Sequence, residues 1–229
     1  MTIIRVVDFE TTGTEPPAEV CEVGYSDFDL QALAVHYPEA WLCSVKTMPP
    51  EVRAVHHITL AECEPYNPFD PSLIADNHVS AYAAHNADFE MKFWAPQGPM
   101  ICTYKAALRV WPDAPSHSNQ GLRYWLSDQG LLSLDHETAM PTHRAGPDAY
   151  VTAHILKALF AAGATGKDMV AWTREPKLLP TCPIGKFRGK PWAEVEGGFL
   201  GWMLRQPDMD PDLKWNADRE IIRRAKGAN

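Results

Sequence analysis

Three sets of side chains in this 229-residue sequence have the types and spacing for metal-assisted hydrolysis. Asp8 and Glu10 stand two apart at the end of the apolar run Ile3-Ile4-Arg5-Val6-Val7-Asp8-Phe9. Residues two apart in a strand share a face. Two partly buried carboxylates there repel each other; a divalent ion such as Mg²⁺ or Mn²⁺, which prefers hard oxygen ligands, removes that cost. Two surface acids at a solvated strand end fit the same pattern. Asp88 and Glu90 lie where Ala84-His85-Asn86-Ala87-Asp88-Phe89-Glu90 leaves a strand and enters a helix. Positions two apart on a helix are separated by about 200°, so one of the two acids at most faces a given site. First-turn acids stabilising a helix N-terminus fit equally well. His143 and Asp148 form the third set, in His143-Arg144-Ala145-Gly146-Pro147-Asp148. Histidine changes charge near neutral pH, which suits a general base, and Asp148 then completes a carboxylate cage. A surface histidine and an ordinary first-turn acid fit those residues too.

The elements that must carry these groups can be read from hydrophobic patterning. Apolar runs over 3–9, 20–25, 41–45 and 79–84 predict strands. Helices are expected over 87–94, 103–111, 119–129 and 147–160, the last with Pro147 at its first position, where the missing N–H costs nothing. Thr11-Thr12-Gly13 reads as a turn exposing backbone N–H groups. Early strands followed by helices predict a mixed sheet with helices packed on it. The proline-rich stretch 176–183 reads as a linker. Beyond it, Gly185 to Lys190 predicts a hairpin with a glycine turn, and helices are expected over 198–205 and 211–226. The division is a body over 1–174, a linker over 175–183, and a small basic α+β appendage over 184–229, with Trp192, Trp202 and Trp215 as its expected core.

Composition narrows the class. Hydrophobic residues make up 45% and charged residues 22%, the balance of a soluble globular chain, and no stretch approaches a membrane span. No secretory leader is evident. The cysteines (Cys21, Cys43, Cys63, Cys102, Cys182) are scattered, odd in number and without a CxxC pair. They suit a reducing cytoplasm and argue against a disulfide scaffold or zinc ribbon. The net charge of −8 looks wrong for a phosphate binder, but it divides into −11 over 1–173 and +3 over 174–229. Carboxylates that hold divalent cations let the ions dominate the local field.

In combination the three sets resemble the DEDDh exonuclease superfamily, and within it the exonuclease X (exodeoxyribonuclease X) family. The strand Asp8-Phe9-Glu10-Thr11-Thr12-Gly13, the His85-to-Glu90 segment and His143 to Asp148 occur in that family's order. Val55-His56-His57-Ile58-Thr59, Ile101-Cys102-Thr103, Arg109-Val110-Trp111-Pro112, Ser118-Asn119 and Ile184-Gly185-Lys186-Phe187-Arg188-Gly189-Lys190 extend the likeness nearly end to end. The resemblance implies a ribonuclease-H-like mixed sheet with helices on both faces. It implies two divalent cations, Mg²⁺ or Mn²⁺, held by Asp8, Glu10 and Asp148, with the middle carboxylate supporting the second ion and His143 as general base. The implied reaction is 3′→5′ hydrolysis of DNA to nucleoside 5′-monophosphates, on a free 3′ end of single-stranded DNA, in cytoplasmic DNA repair.

Two departures from the family pattern stand out. The middle motif ends Phe89-Glu90 where relatives have Phe-Asp, so Glu90 takes the role by alignment, with Asp88 as its rival. Thr14 occupies a position where relatives carry an apolar wedge, which puts opening of duplex ends in doubt. As substrate contacts, Thr11 and the backbone near Gly13 are candidates for the terminal nucleotide, and His56 and His57 for a base or phosphate; a satisfied loop pair is an equal reading of the histidines. The basic turn Lys186, Arg188 and Lys190 is a candidate for the nucleic-acid backbone or a solvated hairpin. An RNA-trimming exonuclease uses the same chemistry and is the alternative. A non-cutting module that binds nucleic-acid ends has the Glu90 replacement as its only support.

Overall fold

The computed structural model describes residues 2–227. Its central sheet is built from β1 (Ile3–Thr11), β2 (Val20–Asp29), β3 (Ala34–Val35), β4 (Glu39–Leu42), β5 (Val79–Ala84) and β6 (Met100–Cys102). The order is β3-β2-β1-β5-β6, with β4 also pairing to β2. β1 runs antiparallel to β2 and parallel to β5, so β1 sits centrally and is apolar on both faces. Ile4 and Val6 join one hydrophobic cluster and Val7 and Phe9 the other. Asp8 and Glu10 continue the row of Ile4 and Val6 on the first of these faces.

That face is covered by α3 (Thr103–Val110), α4 (Asn119–Asp128) and α5 (Ala145–Ala161), whose Ala106, Leu122, Val151 and Ile155 pack on Ile4, Val6 and Phe28. α6 (Gly166–Arg174) contributes Met169 to the same cluster. The opposite face is closed by α1 (Pro50–His56), α2 (Leu60–Cys63) and loops carrying Phe69, Ile74 and Trp94. The architecture is therefore the mixed α/β layer expected. Among the described residues no helix is long and apolar enough to cross a membrane.

Several expectations are corrected. The helix expected over 87–94 is a turn followed by one 3₁₀ turn, Glu90–Lys92. Pro147 is the third residue of α5 and Arg144 precedes the helix as its cap position. The stretch after Ile184 is a 3₁₀ turn, Gly185–Phe187, closed by Cys182 N–H to Lys190 O and Gly189 N–H to Cys182 O, with one bridge between Thr181 and Pro191. Gly185 and Gly189 have φ of 60° and 79°, the left-handed region that glycine enters without steric cost. α7 (Gly197–Arg205) and α8 (Pro211–Gly227) follow. They enclose a separate cluster of Cys182, Trp192, Val195, Leu200, Met203, Leu213 and Ala217. Of the three tryptophans, only Trp192 is buried there; Trp202 is 40% exposed and stacks on Phe199, and Trp215 lies half-buried under Arg219. Lys186 and Lys190 face Glu196 and Glu194 at 2.9 and 3.6 Å, so two charges of the basic turn are met within the tail.

Candidate active site

The centre forms where β1 passes beneath the start of α5. Asp8, Glu10 and Asp148 each offer a carboxylate oxygen, and the three atoms lie within 4.8 Å of one another. Glu90 approaches from the 3₁₀ turn after β5. Only 3% exposed, it has one oxygen, Oε2, without a hydrogen-bond partner. Asp88 turns away and pairs with Lys105 at 2.9 Å. The turn that carries Glu90 is tied to the loop after β1 by Lys92, whose ammonium donates to Thr14 O (3.2 Å) and pairs with Glu15.

Asp148 is held from two sides: Oδ1 accepts from the Gln120 amide at 2.9 Å and Oδ2 from the His143 backbone N–H at 2.9 Å. His143 itself is exposed, with φ of 57°, and its ring is near enough to favour ionisation of Asp148. β2 completes the setting. Gly24 and Glu22 lie opposite Asp8 and Glu10 in the strand register. A Cβ on Gly24 would come within 2.5 Å of the Ala145 carbonyl carbon, so glycine there lets the start of α5 lie directly on the strand.

The electrostatics of the cluster are those of crowded acids. Burial, then the charges of Asp148, Glu10 and Glu90, hold the Asp8 carboxyl well above its usual range. Burial with Asp148 and Glu22 pushes Glu10 up to about 8, against the opposing pull of Arg144. Burial also raises Glu90 to about 8. Asp148 is raised by burial and partly relieved by its two N–H donors. Three converging acids, with the unpartnered buried oxygen of Glu90 acting electrostatically on Asp8, match the donor set of a hard divalent cation.

The raised values fix a direction. A carboxylate whose pKa is higher in the folded than in the unfolded chain stabilises the fold below its ordinary range, near 4.5, and that contribution is lost as pH rises towards 8. The metal-free protein should therefore melt lower at pH 8 than at pH 5, by roughly 5–10 °C at ~2–4 °C per kcal/mol. Mn²⁺ should abolish most of the difference. A thermal midpoint independent of pH without metal would show that these acids are not crowded.

The remaining candidate residues are placed differently. The Thr11 hydroxyl donates to Gly13 O at 2.7 Å, and the Thr12 N–H donates to Glu19 O, so the stretch after β1 is a paired bend and not an open array of N–H groups. A Cβ on Gly13 would come within 3.2 Å of the Ala18 Cβ. His56 is 3% exposed; its Nδ1 accepts from the Ile58 N–H, and its ring meets Cys21 and the backbone of Thr11. It thus supports Thr11 from behind and presents no open face. His57 is exposed at the left-handed end of α1. Glu22, Gly24 and Gln120 were not singled out by sequence, although a carboxylate inside an apolar strand run and a mid-strand glycine are both visible signals.

Glu90→Ala is expected to slow turnover about 10–100-fold, as loss of a group supporting a metal does, with Asp88→Ala having the smaller effect. Turnover of the two variants under saturating Mg²⁺ decides this; the reverse order would transfer the role to Asp88.

The fold places the chain in a structural class. It shares its architecture with exonuclease I, at a TM-score of 0.54 and 16% identity over 75% of this chain and 43% of that one. The particular protein it resembles is Exodeoxyribonuclease 10 of Escherichia coli strain K12, 29% identical over 219 residues that span 93% of this chain and 96% of the relative. Exonuclease X in complex with 5′ overhanging duplex DNA superposes with a TM-score of 0.63 at 27% identity, over 74% of this chain and 99% of that one. No family model matches the sequence. The resemblance read from the motifs thus extends over nearly the full length of both chains.

Proposed function

We propose that this chain is a metal-dependent 3′→5′ exodeoxyribonuclease that releases nucleoside 5′-monophosphates from single-stranded DNA ends, with a role in DNA repair. The observation that carries the reading is the convergence of Asp8, Glu10 and Asp148 within 4.8 Å beside the unpartnered Oε2 of Glu90. Asp8, Glu10 and Asp148 would hold two divalent cations, Mg²⁺ or Mn²⁺, with Glu90 supporting the second. When bound, such ions neutralise the phosphate and activate the attacking water. His143, on an exposed loop beside Asp148, takes the proton from that water. Thr11 and Gly13 line the bend where the terminal nucleotide sits. Preference for DNA is supported by the likeness to Exodeoxyribonuclease 10 and to the structure of Exonuclease X in complex with DNA. The body over 1–174, the linker over 175–183 and the basic unit over 184–229 are the proposed divisions, supported by the separate cluster around Trp192. A cytoplasmic setting is supported by five buried, unpaired cysteines.

A 5′-labelled single-stranded DNA incubated with Mg²⁺, with and without chelator, tests the reading, alongside a matched RNA. A ladder shortening from the 3′ end that stops with chelator is expected. Internal cutting, or persistence with chelator, would refute it, and faster trimming of the RNA would change the substrate.

A further inference from the structure

Glu22 is an acid in an unfavourable place. It lies on β2, 3% exposed and directly opposite Glu10, where two like charges across a strand pair destabilise it. Its carboxylate is fully engaged on the other side. Arg144 Nε reaches Oε1 and Oε2 at 3.1 and 2.9 Å, Arg144 Nη2 pairs with Oε1, and the Ala145 backbone N–H donates to Oε2 at 2.8 Å. Arg144 holds the cap position of α5 but supplies no side-chain cap of its own; the strand carboxylate accepts from the helix N-terminus in its place.

The geometry of this grip bears on the residue next door. His143 is in the left-handed region, with φ of 57°, a conformation uncommon outside glycine although histidine enters it more readily than most residues. The structure over-determines it. On one side Asp148 Oδ2 accepts the His143 N–H at 2.9 Å; on the other Glu22 fixes the two residues that follow. Gly24, two residues along β2 on the same face, removes the side chain that would otherwise hold Ala145 off the strand. We propose that Glu22, acting through Arg144 and the Ala145 N–H, is a positioning residue that sets the His143 imidazole for proton transfer. The inference rests on the reading of His143 as the general base and goes beyond it by naming what holds that base in place.

The test is a cycle of variants in the full chain: Glu22→Gln, His143→Ala and the pair together, with turnover measured on labelled single-stranded DNA under saturating Mn²⁺. Glutamine keeps the shape and one acceptor, so the fold is retained; Arg144→Gln gives the same cycle from the other partner if it is not. A displacement of about 1 Å costs on the order of 10²-fold in rate. At saturating Mn²⁺, where a change in metal affinity from the lost Glu22 charge does not limit the rate, Glu22→Gln should therefore lower kcat roughly 10–100-fold, with KM for DNA unchanged. It should cause no further loss in His143→Ala, since groups that act as a unit are not additive.

A purely structural role would lower the melting temperature without this non-additivity. Wild-type turnover of Glu22→Gln, or losses that multiply in the double variant, would overturn the proposal while leaving the base reading intact. A rise in KM with kcat unchanged would also overturn it, placing Arg144 on substrate in the adjacent cleft of about 450 Å³ that it lines with Trp41, Tyr66 and Pro147. Wild-type turnover of His143→Ala alone would remove the base reading itself, and this proposal with it.

Discussion

Asp8→Ala is expected to lower DNA cleavage by about 10³-fold or more, because a metal centre supplies several kcal/mol of transition-state stabilisation and each 1.36 kcal/mol is tenfold in rate. Asp8 stands at the middle of the cluster: Asp148, Glu10, Glu90 and Glu22 all act on it. Removing it takes away a proposed ligand that no neighbour replaces, because Glu10 and Asp148 are fixed on a central strand and a packed helix. The isosteric Asp8→Asn should be nearly as inactive, and its second property separates loss of chemistry from loss of fold. With one repelling charge gone, the metal-free Asp8→Asn protein should melt higher than wild type at pH 8. Calorimetry with Mn²⁺ and a thermal melt in chelator measure both. Cleavage by Asp8→Asn at the wild-type rate would move the reaction elsewhere on the protein.

His143→Ala should slow turnover by roughly 10²–10⁴-fold, the usual contribution of a general base, and leave Mn²⁺ affinity largely intact. The hydrogen bond His143 makes to Asp148 is through its backbone N–H, which alanine retains. The imidazole stands exposed beside the cluster and is the part removed. Loss should therefore fall on kcat, and added imidazole should restore part of it. The limb of the pH–rate profile that reports a base should disappear as well. Normal cutting by His143→Ala, or a loss explained wholly by weaker metal binding, would withdraw the assignment.

The sequence carried the fold where the signal was long and local. β5 falls on the expected residues 79–84, and α3, α4, α7 and α8 begin and end within a residue or so of expectation, because capping residues and prolines mark them. β6 was invisible because it is three residues long and runs straight into α3, with Cys102 serving as both strand end and helix cap. α6 was overlooked although Thr165 caps it by accepting from the Asp168 N–H. The segment after Ala84 has helical composition, yet it forms a turn, with Asn86 at φ of 71°, followed by one 3₁₀ turn. At the site, Asp8 and Glu10 were legible because strand alternation is a local rule. Glu22, Gly24 and Gln120 were not, since their partners Arg144, Ala145 and Asp148 lie 28 to 123 positions away in sequence.

The end of α6 has a bearing on how the chain can be cut down. Thr173 receives the Cys102 N–H on its hydroxyl at 2.7 Å and the buried Lys105 ammonium on its carbonyl at 2.9 Å, and Lys105 is the cation that draws Asp88 away from the carboxylate centre. A fragment trimmed back past Thr173 would lose both contacts, the one to the ammonium being a charge-assisted hydrogen bond worth about 1.5–3 kcal/mol. Limited digestion should accordingly leave a minimal active piece whose C-terminus lies beyond residue 173.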